Sequence, residues 1–339
     1  MNEQQQTYEE KIRKMADELK PVGAYRTDFI NTVTESKTRI STGFRDLDIA
    51  LKGGLVNELY ILGAETSTGK SAISMAIAQN IAAQGANVLY FALEMSRTEL
   101  IARGISAISY EHNSQTALTA GDILYHKYDR IAQDFTCVPH RFYEGYEDEY
   151  NQRYGEHLFI IENSDGGTTA RDLANIATLF KRSHPETPTV VFVDYLQILQ
   201  ADQSDRSQVD RKTKTDVSVT TLKTLASKIG MPVFVLSSVN RNSYGKGVKN
   251  QSYNESGLIE FTGGILIGWN WAGVTDTKSA DDIEEEKEKC KKLGRRRMVM
   301  EIMKFRNAER DAKIWFDYYP AYNYFRSARE KEEPERVTC

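Results

Sequence analysis

The stretch that decides the fold is ELYILGAETSTGKS, which spans residues 58–71. An apolar run of strand length leads into a small polar loop, and Gly69, Lys70 and Ser71 follow at the start of a helical pattern. This order fits the phosphate-binding pattern GxxxxGK(S/T), with Ala64 in the place of the first glycine. Backbone amides in such a loop point at phosphate oxygens. We therefore predict a nucleotide-binding loop between a buried strand and a helix.

The residue types in this loop suit the parts of a nucleoside triphosphate. The Lys70 ammonium is expected at the β- and γ-phosphates, and the Ser71 hydroxyl is expected at Mg²⁺. ATP and Mg²⁺ are therefore the predicted cofactors. The predicted cofactor-binding residues are Ala64, Glu65, Thr66, Ser67, Thr68, Gly69, Lys70 and Ser71.

Short apolar runs alternate with helical patterns after this loop. The runs NVLYFAL, HLFIIEN, TVVFVDYLQIL and MPVFVLSSV lack strict polar alternation, as expected of strands buried on both faces. This order predicts an α/β fold with a mostly parallel central sheet flanked by helices. Further along, the runs ILIGWNW, RRMVMEIMKF, KIWFDYY and YNYF have no helical pattern between the last three. We expect these to be antiparallel strands added at one edge of the sheet.

Two carboxylates follow apolar runs of the predicted sheet. Asp194 ends TVVFVD and is predicted to be the Walker B acid, which holds Mg²⁺ through water. Glu94 ends NVLYFALE, and a right-handed crossover would place its strand beside the strand of the phosphate loop. We expect Glu94 to orient the attacking water there. The alternatives are a strand-end cap for Asp194 and a helix-start carboxylate for Glu94.

Composition excludes several classes of protein. The 339 residues carry a formal net charge of -4, which argues against indiscriminate binding to nucleic acid, so any nucleic-acid site must be local. The three cysteines are far apart and form no CxxC pair, which indicates neither a disulfide framework nor a zinc site. The polar start lacks a signal-peptide pattern, and no apolar run approaches the roughly 18 residues of a membrane span. We expect a cytoplasmic protein without a membrane partner.

The N-terminal residues predict a helix with one apolar stripe, followed by a connector over residues 22–37. Pro21 is expected to end the helix. The stripe requires a partner surface, either on its own domain or on a neighbouring subunit, because an isolated short helix is marginally stable in water. It consists of Tyr8, Ile12, Met15 and Leu19.

Six ordered motifs resemble the C-terminal ATPase domain of DnaB-type replicative helicases. They are TGFRDLDIALKGGL, ALEMS, VDYLQIL, LSSVNR, ESGLIE and KFRN, and the resemblance covers roughly Ser41 to Phe325. It implies a RecA-like fold and an ATP-hydrolysing, hexameric helicase or translocase that binds nucleotide at subunit interfaces. The implied partners are single-stranded DNA, with RNA left open, further copies of the chain, and a loader or separate replication protein.

This resemblance divides the chain into three parts. Residues 1–38 are expected to be an N-terminal helix and linker arm, residues 39–328 the ATPase domain, and residues 329–339 a charged tail. We expect no counterpart of the family's N-terminal helical domain, since about forty residues precede the ATPase region.

Functional roles follow from the positions that match the family. Lys70 and Glu94 would be catalytic, and Lys304 and Arg306 would be the basic pair that enters the neighbouring subunit's nucleotide site. Surface charge on an edge strand is the alternative for this pair. Candidate nucleic-acid contacts lie in the loops that follow two strand ends: Arg206, Arg211, Lys212, Arg241, Lys246, Asn254, Glu255 and Gly257, with Tyr244 and Tyr253 as candidates for base stacking. Ordinary solvated loops are the alternative.

The sequence departs from the family pattern at three positions. Ser238 stands where the family has a glutamine that senses the γ-phosphate, Glu65 replaces an arginine, and Asn254 replaces the arginine before ESG. Ser238 and Asn254 favour a second hypothesis, a RecA-like oligomeric ATPase with an assembly or regulatory role and no unwinding activity. A small-molecule kinase has less support, because it would need an arginine-rich lid and an acceptor pocket.

Overall fold

A computed structural model describes residues 3–34, 39–125, 127–129, 134–136, 138–162, 167–201, 210–240, 247–253, 264–272, 280–305 and 312–329. The chain divides into two compact units, Met1–Arg39 and Ile40–Cys339. Within the described residues, no helix is both long enough and apolar enough to cross a membrane.

The N-terminal unit contains two helices where the sequence predicted one. Helix α1 is Glu3–Asp17, a 3-10 turn covers Val22–Tyr25, and helix α2 is Arg26–Thr34. The predicted connector is therefore wrong over this part. The reason is local, because Pro21 stands at the N-cap of the turn with φ −63, which suits the start of a helical turn as well as the end of α1. The predicted stripe is exposed: Tyr8, Ile12, Met15 and Leu19.

The second unit is built on a large mixed sheet. Its strands are β1 Leu59–Ala64, β2 Asn87–Ala92, β5 Leu158–Glu162, β6 Thr189–Asp194, β7 Val233–Ser238, β8 Ile265–Trp271, β9 Arg296–Lys304, β10 Ala312–Tyr319 and β11 Tyr324–Ala328. Strands β3 Lys127–Asp129 and β4 Asp134–Thr136 pair separately. The order in the main sheet is β11-β10-β9-β8-β1-β7-β6-β2-β5. Strand pairs are parallel from β8 to β5 and antiparallel from β8 to β11, which confirms the predicted fold class.

Helices cover both faces of this sheet. They are α3 Arg45–Ala50, α4 Lys70–Ala83, α5 Arg97–His112, α6 Ala120–Leu124, α7 Glu144–Tyr154, α8 Ala170–Ser183, α9 Arg211–Thr224 and α10 Ala280–Lys292. Alternate residues of a strand enter different cores because side chains point to opposite faces. In β1, Tyr60 and Leu62 join the core under α3 and α4, whereas Leu59 and Ile61 join the core under α8 and α9. This burial on both faces explains why the strand runs lack polar alternation.

One predicted neighbour relation is wrong. Strand β2 was expected beside β1, but β7 and β6 lie between them. The right-handed crossover rule determines on which face of the sheet α4 packs. It does not determine how many strands the connection passes over, because strands that come later in the chain can insert between β1 and β2. Because these parallel strands end at the same edge, Glu94 and Lys70 still lie at one edge of the sheet.

Candidate functional site

The loop after β1 has the backbone shape that phosphate binding requires. It runs from Ala64 to Lys70, and Gly69 at the N-cap of α4 has φ 90 while Ser67 has φ 61. Glycine is needed at position 69 for a second reason, because a Cβ there would lie 2.7 Å from the Tyr318 ring. The loop therefore leads directly into the N-terminus of α4, where backbone amides are available to an anion.

Neighbouring strands hold the loop in this shape. The Trp269 indole donates to the Thr68 carbonyl at 3.0 Å, and the Arg296 guanidinium donates to the Ser67 carbonyl at 3.1 Å. Within the loop, the Thr68 hydroxyl donates to the Glu65 carbonyl at 2.8 Å. The loop conformation is therefore set by β8 and β9 as well as by its own sequence.

A cleft of about 560 Å³ opens above the loop, within the size range of small-molecule sites. It collects predicted residues from three segments of the chain: Lys70 and Ser71 of the loop, Glu94 after β2, and Ser238 at the end of β7. Lys70 is largely buried, and its ammonium lies 5.0 Å from the centroid of the Tyr195 ring. A buried cation interacts more strongly with phosphate than an exposed one.

Asp194 ends β6 directly before Tyr195, which lines the cleft, and is almost fully buried. Its Oδ2 accepts a hydrogen bond from the Tyr90 hydroxyl at 3.1 Å, and Tyr90 in turn lies 2.9 Å from the Ser74 hydroxyl. Burial raises the pKa of Asp194, while the hydroxyls of Ser71 and Tyr90 and the charge of Lys70 act in the opposite direction. A cation at this carboxylate would therefore stabilise its ionised form.

The residues around Asp194 fit a magnesium ion. Its Oδ1 is buried and has no hydrogen-bond partner among the described residues. A buried unpaired carboxylate oxygen is costly unless a cation or donor satisfies it. Mg²⁺ prefers oxygen ligands and commonly takes one or two from the protein, with water and phosphate supplying the rest. Asp194 and Ser71 offer such a donor set.

Glu94 is exposed on the segment that joins β2 to α5. The Leu93 amide donates to the Asp194 carbonyl at 2.9 Å, which ties this segment to the end of β6. The charge of Glu94 contributes to the raised pKa of Asp194, so the two carboxylates interact electrostatically. The helix-start carboxylate of α5 is Glu99, which forms a capping box with Ser96. The carboxylate of Glu94 is not needed for that role.

Lys304 does not lie at its own chain's phosphate loop. It is the last residue of β9 and pairs with Leu266, whereas Arg296 at the other end of β9 lines the cleft. The two residues are eight positions apart, which corresponds to about 27 Å in an extended strand. Arg306, the other member of the predicted pair, lies outside the described residues.

Two of the candidate nucleic-acid contacts are in a helix, not in the loop where they were predicted. Arg211 and Lys212 occupy the first turn of α9, which begins there because the Asp210 carboxylate accepts from the Thr213 amide at 2.8 Å. Lys212 is exposed. The other candidates lie outside the described residues: Arg206, Arg241, Lys246, Asn254, Glu255 and Gly257.

The base-stacking prediction is wrong for Tyr253. Its side chain is 4% exposed, and its hydroxyl donates to the Ile267 carbonyl at 2.8 Å. A ring buried against the sheet has no free face for a base. Tyr244 lies outside the described part of the chain.

Sequence reasoning missed two cations of the cleft, Arg103 and Arg296. Arg103 lies about two turns into α5, the helix that follows Glu94. This position in the sequence could have indicated that Arg103 lies near the cleft. The Arg296 guanidinium lies 5.1 Å from the Trp271 ring centroid and 5.9 Å from that of Tyr318. These contacts join β8, β9 and β10, and no spacing in the sequence indicates them.

Gln197 was also missed. Its carboxamide nitrogen donates to the Ser237 hydroxyl at 3.0 Å and to the Ser238 carbonyl at 3.2 Å. Its carboxamide oxygen accepts from the Ser238 amide at 3.2 Å. A glutamine from the segment after β6 therefore holds the end of β7 at the cleft, at the position where the resembling family has its own glutamine.

Comparison with known proteins gives consistent matches. Residues 39–327 match the family described as DnaB-like helicase C terminal domain. Replicative DNA helicase DnaB of Treponema pallidum is 30% identical over 71% of this chain and 51% of its own length, and that of Haemophilus influenzae is 28% identical over 68% and 46%. The chain thus spans about half the length of the curated relatives it matches.

Solved structures share the fold at low sequence identity. One of them, described as an ATPase domain, has a TM-score of 0.68 and 19% identity, with coverage of 89% of this chain and 96% of that chain. A structure of a DnaB-like replicative helicase and its interactions with primase has the same TM-score and identity, covering 94% of this chain and 70% of that one. These likenesses confirm the expected RecA-like architecture.

Proposed function

Because the chain belongs to the DnaB-like helicase C-terminal domain family, we propose that it hydrolyses ATP to drive a hexameric translocase or helicase along single-stranded DNA. The observation that carries this proposal is that Lys70, Ser71 and Glu94 line one cleft and that all three interact with the buried carboxylate of Asp194, so that groups from three strand ends come together. A phosphate loop, a metal-side carboxylate and a second carboxylate are the parts that phosphoryl transfer to water needs.

The proposed roles follow from the positions of these groups. The loop amides and Lys70 bind the β- and γ-phosphates, and Ser71 and Asp194 hold Mg²⁺, which supplies charge neutralisation at the phosphate oxygens. Glu94 orients and polarises the attacking water. Arg103 and Arg296 line the same cleft and add positive charge for the remaining phosphates. We propose that both arginines contact the nucleotide directly.

Glu94→Gln should retain ATP binding and lose turnover by about 10²- to 10⁴-fold. The amide has nearly the same shape, so only the charge that polarises water is removed. Phosphate release measured beside binding of a fluorescent ATP analogue separates the two effects. Glu99→Gln is the matched control, because glutamine also forms a capping box and this side chain caps α5. Collapse of binding in Glu94→Gln would make Glu94 a structural residue.

The position of Lys304 supports nucleotide sites at subunit interfaces. Lys304 lies about 27 Å along β9 from Arg296, which lines the chain's own cleft, and this separation favours contact with a phosphate bound by a neighbouring subunit. Head-to-tail interfaces of this kind close into rings when the rotation between neighbours permits it. We propose Lys304 and Arg306 as the pair that completes the neighbour's site, in a ring of six.

We also propose that the chain consists of an N-terminal arm, an ATPase domain and a charged tail.

Deleting residues 1–20 should leave a folded, nucleotide-binding monomer that forms rings poorly and whose ATPase depends strongly on protein concentration. The exposed stripe, with Tyr8, Ile12 and Met15 on α1 and Leu19 two residues beyond its end, is proposed to dock on the adjacent subunit. Burying four such side chains is worth several kcal/mol at about 25 cal/mol per Å², less the cost of ordering the arm. Analytical ultracentrifugation with nucleotide measures the effect.

A point variant sharpens this test. Ile12→Asp places a charge in the stripe and should assemble as poorly as the truncation, whereas Glu10→Ala on the opposite helix face should assemble like wild type. An unchanged oligomer distribution for both Ile12→Asp and the truncated chain would contradict docking in trans. Loss of thermal stability instead of assembly would support a helix that packs on its own domain.

The second candidate function is an oligomeric ATPase with an assembly or regulatory role. Ser238 at the cleft favours it, since a short side chain replaces the family's glutamine. Strand separation on a forked DNA, measured beside ATPase activity with and without single-stranded DNA or RNA, distinguishes the two. Unwinding together with a six-fold ring in negative stain supports the helicase. ATPase activity in a ring without unwinding supports the second function. A loader or a separate replication protein is proposed as a further partner.

A further inference from the structure

The Lys70 ammonium lies over an aromatic ring beside the phosphate loop. Its Nζ is 5.0 Å from the centroid of the Tyr195 ring, and both residues line the same cleft. A cation within about 6 Å of a ring centroid is attracted to the electron-rich face of the ring. No described carboxylate forms an ion pair with Lys70. The ring is therefore the group that holds this ammonium in the structure.

The segment that carries Tyr195 is fixed on two sides. Tyr195 directly precedes a 3-10 turn, Leu196–Ile198. The Gln197 carboxamide in this turn bonds to the end of β7, and the Gln197 carbonyl accepts from the Lys214 ammonium of α9 at 3.2 Å. The backbone at Tyr195 is therefore held in place, and its ring stays beside Lys70.

Without the ring, the Lys70 ammonium has a competing partner in Asp194. This carboxylate is almost fully buried, and its Oδ1 has no hydrogen-bond partner in the described part of the chain. Burial raises the pKa of Asp194, and the charge of Lys70 opposes this rise, so the two groups attract each other. A direct ion pair between them would occupy both the cation needed at the phosphates and the carboxylate needed at the metal ion.

We propose that Tyr195 is a positioning residue that holds the Lys70 ammonium at the phosphate position and away from Asp194. This inference rests on the proposed function, because it assigns a role to a side chain of the same nucleotide site. The ring attracts the ammonium through its face and takes up no directed hydrogen bond, so the N–H groups of the lysine remain available to phosphate oxygens. Because the cation is already held in place, less side-chain entropy is lost when nucleotide binds.

The test measures the affinity for a fluorescent, non-hydrolysable ATP analogue in a series of variants at position 195. Tyr195→Leu removes the aromatic face and should weaken binding by about 5- to 30-fold, which corresponds to about 1–2 kcal/mol for a cation over a ring in a desolvated site. Tyr195→Phe keeps the ring and should retain most of the affinity, since phenylalanine also offers its face to a cation.

Fluorination of the ring separates attraction of the cation from the shape of the ring. Phenylalanine that carries one, two or three fluorine atoms, introduced at position 195 as a non-natural amino acid, has nearly the same size but a less electron-rich face. Affinity should fall with each fluorine, from the value of Tyr195→Phe towards that of Tyr195→Leu. A ring that acts only by filling space would show no such trend, because its packing hardly changes.

The same fluorinated residues at position 159 are the matched control. Phe159 lies in the edge strand β5, where its ring centroid is 4.8 Å from that of Phe180, and it is not among the residues that line the cleft. Affinity for the analogue should stay at the wild-type value throughout this control series. Thermal melting shows that each variant is folded.

Two outcomes would overturn the role of Tyr195 and leave the proposed function intact. One is wild-type affinity in Tyr195→Leu, and the other is equal affinity across the fluorinated series at position 195, in each case while the wild type hydrolyses ATP. If the wild type neither binds nor hydrolyses ATP, the proposed function fails, and the role of Tyr195 fails with it. A stepwise loss of affinity with fluorination at position 195 alone supports the proposal.

Discussion

Lys70→Ala should reduce ATP hydrolysis by more than about 10³-fold. The lysine supplies positive charge at the β- and γ-phosphates, where negative charge shifts in the transition state. Removal of one charge-stabilising group that is already in position lowers the rate by about 10²- to 10³-fold in comparable sites. The effect is enlarged by burial, because Lys70 lies beside the Tyr195 ring in surroundings of low dielectric. Steady-state phosphate release measures it, and binding of a fluorescent ATP analogue should weaken in parallel.

The control for this variant is Lys228→Ala. Lys228 is exposed in the helical turn before β7, whose first residue, Val233, pairs with Leu59 at the end of β1 opposite to the phosphate loop. The control should hydrolyse ATP at the wild-type rate. Both variants should keep the melting temperature of the wild type within a few degrees, at roughly the size expected of surface or loop substitutions. Hydrolysis by Lys70→Ala at the wild-type rate would remove the assignment of the phosphate loop.

Lys304→Ala and Arg306→Ala should each lower ATPase activity by a factor on the order of 10³, as expected of a cation delivered from a neighbouring subunit. Walker residues remain intact in these variants, so nucleotide binding should change little. The position of Lys304 at the far end of β9 from its own cleft is the structural basis for expecting action between subunits. Steady-state ATPase at concentrations where the ring is assembled measures the loss.

Mixed oligomers decide whether the pair acts between subunits. When Arg306→Ala and Glu94→Gln subunits are mixed in equal amounts, about a quarter of head-to-tail interfaces should combine an intact Glu94 with an intact basic pair. Activity should then recover to a corresponding fraction of wild type. Mixing Arg306→Ala with Lys304→Ala is the control, because no interface then receives both cations from one subunit. Absence of recovery in the first mixture would mean that the site is completed within one chain.

Several features of the molecule follow from residues that are close in sequence. The phosphate loop is specified by a strand, a loop, Gly69, Lys70 and a helix in direct succession, so its chemistry needed no tertiary information. The parallel sheet follows from apolar runs that alternate with helical patterns, since hydrophobic periodicity reports which residues are buried. Asp194 belongs to this group, because a carboxylate at the end of a buried strand lies at the edge where parallel strands end.

Other features depend on which elements pack together. The two strands between β1 and β2, the position of Lys304, the lining of the cleft by Arg296 and the burial of Tyr253 arise from pairings between segments far apart in the chain. Periodicity shows that a face is buried, but it does not identify the element that covers it, and a strand's register depends on its partner. Tyr253 is an aromatic residue with a hydroxyl group in a polar part of the sequence, so its sequence context indicated an exposed side chain. It is buried because Gly63, about 190 positions earlier, leaves room for its ring.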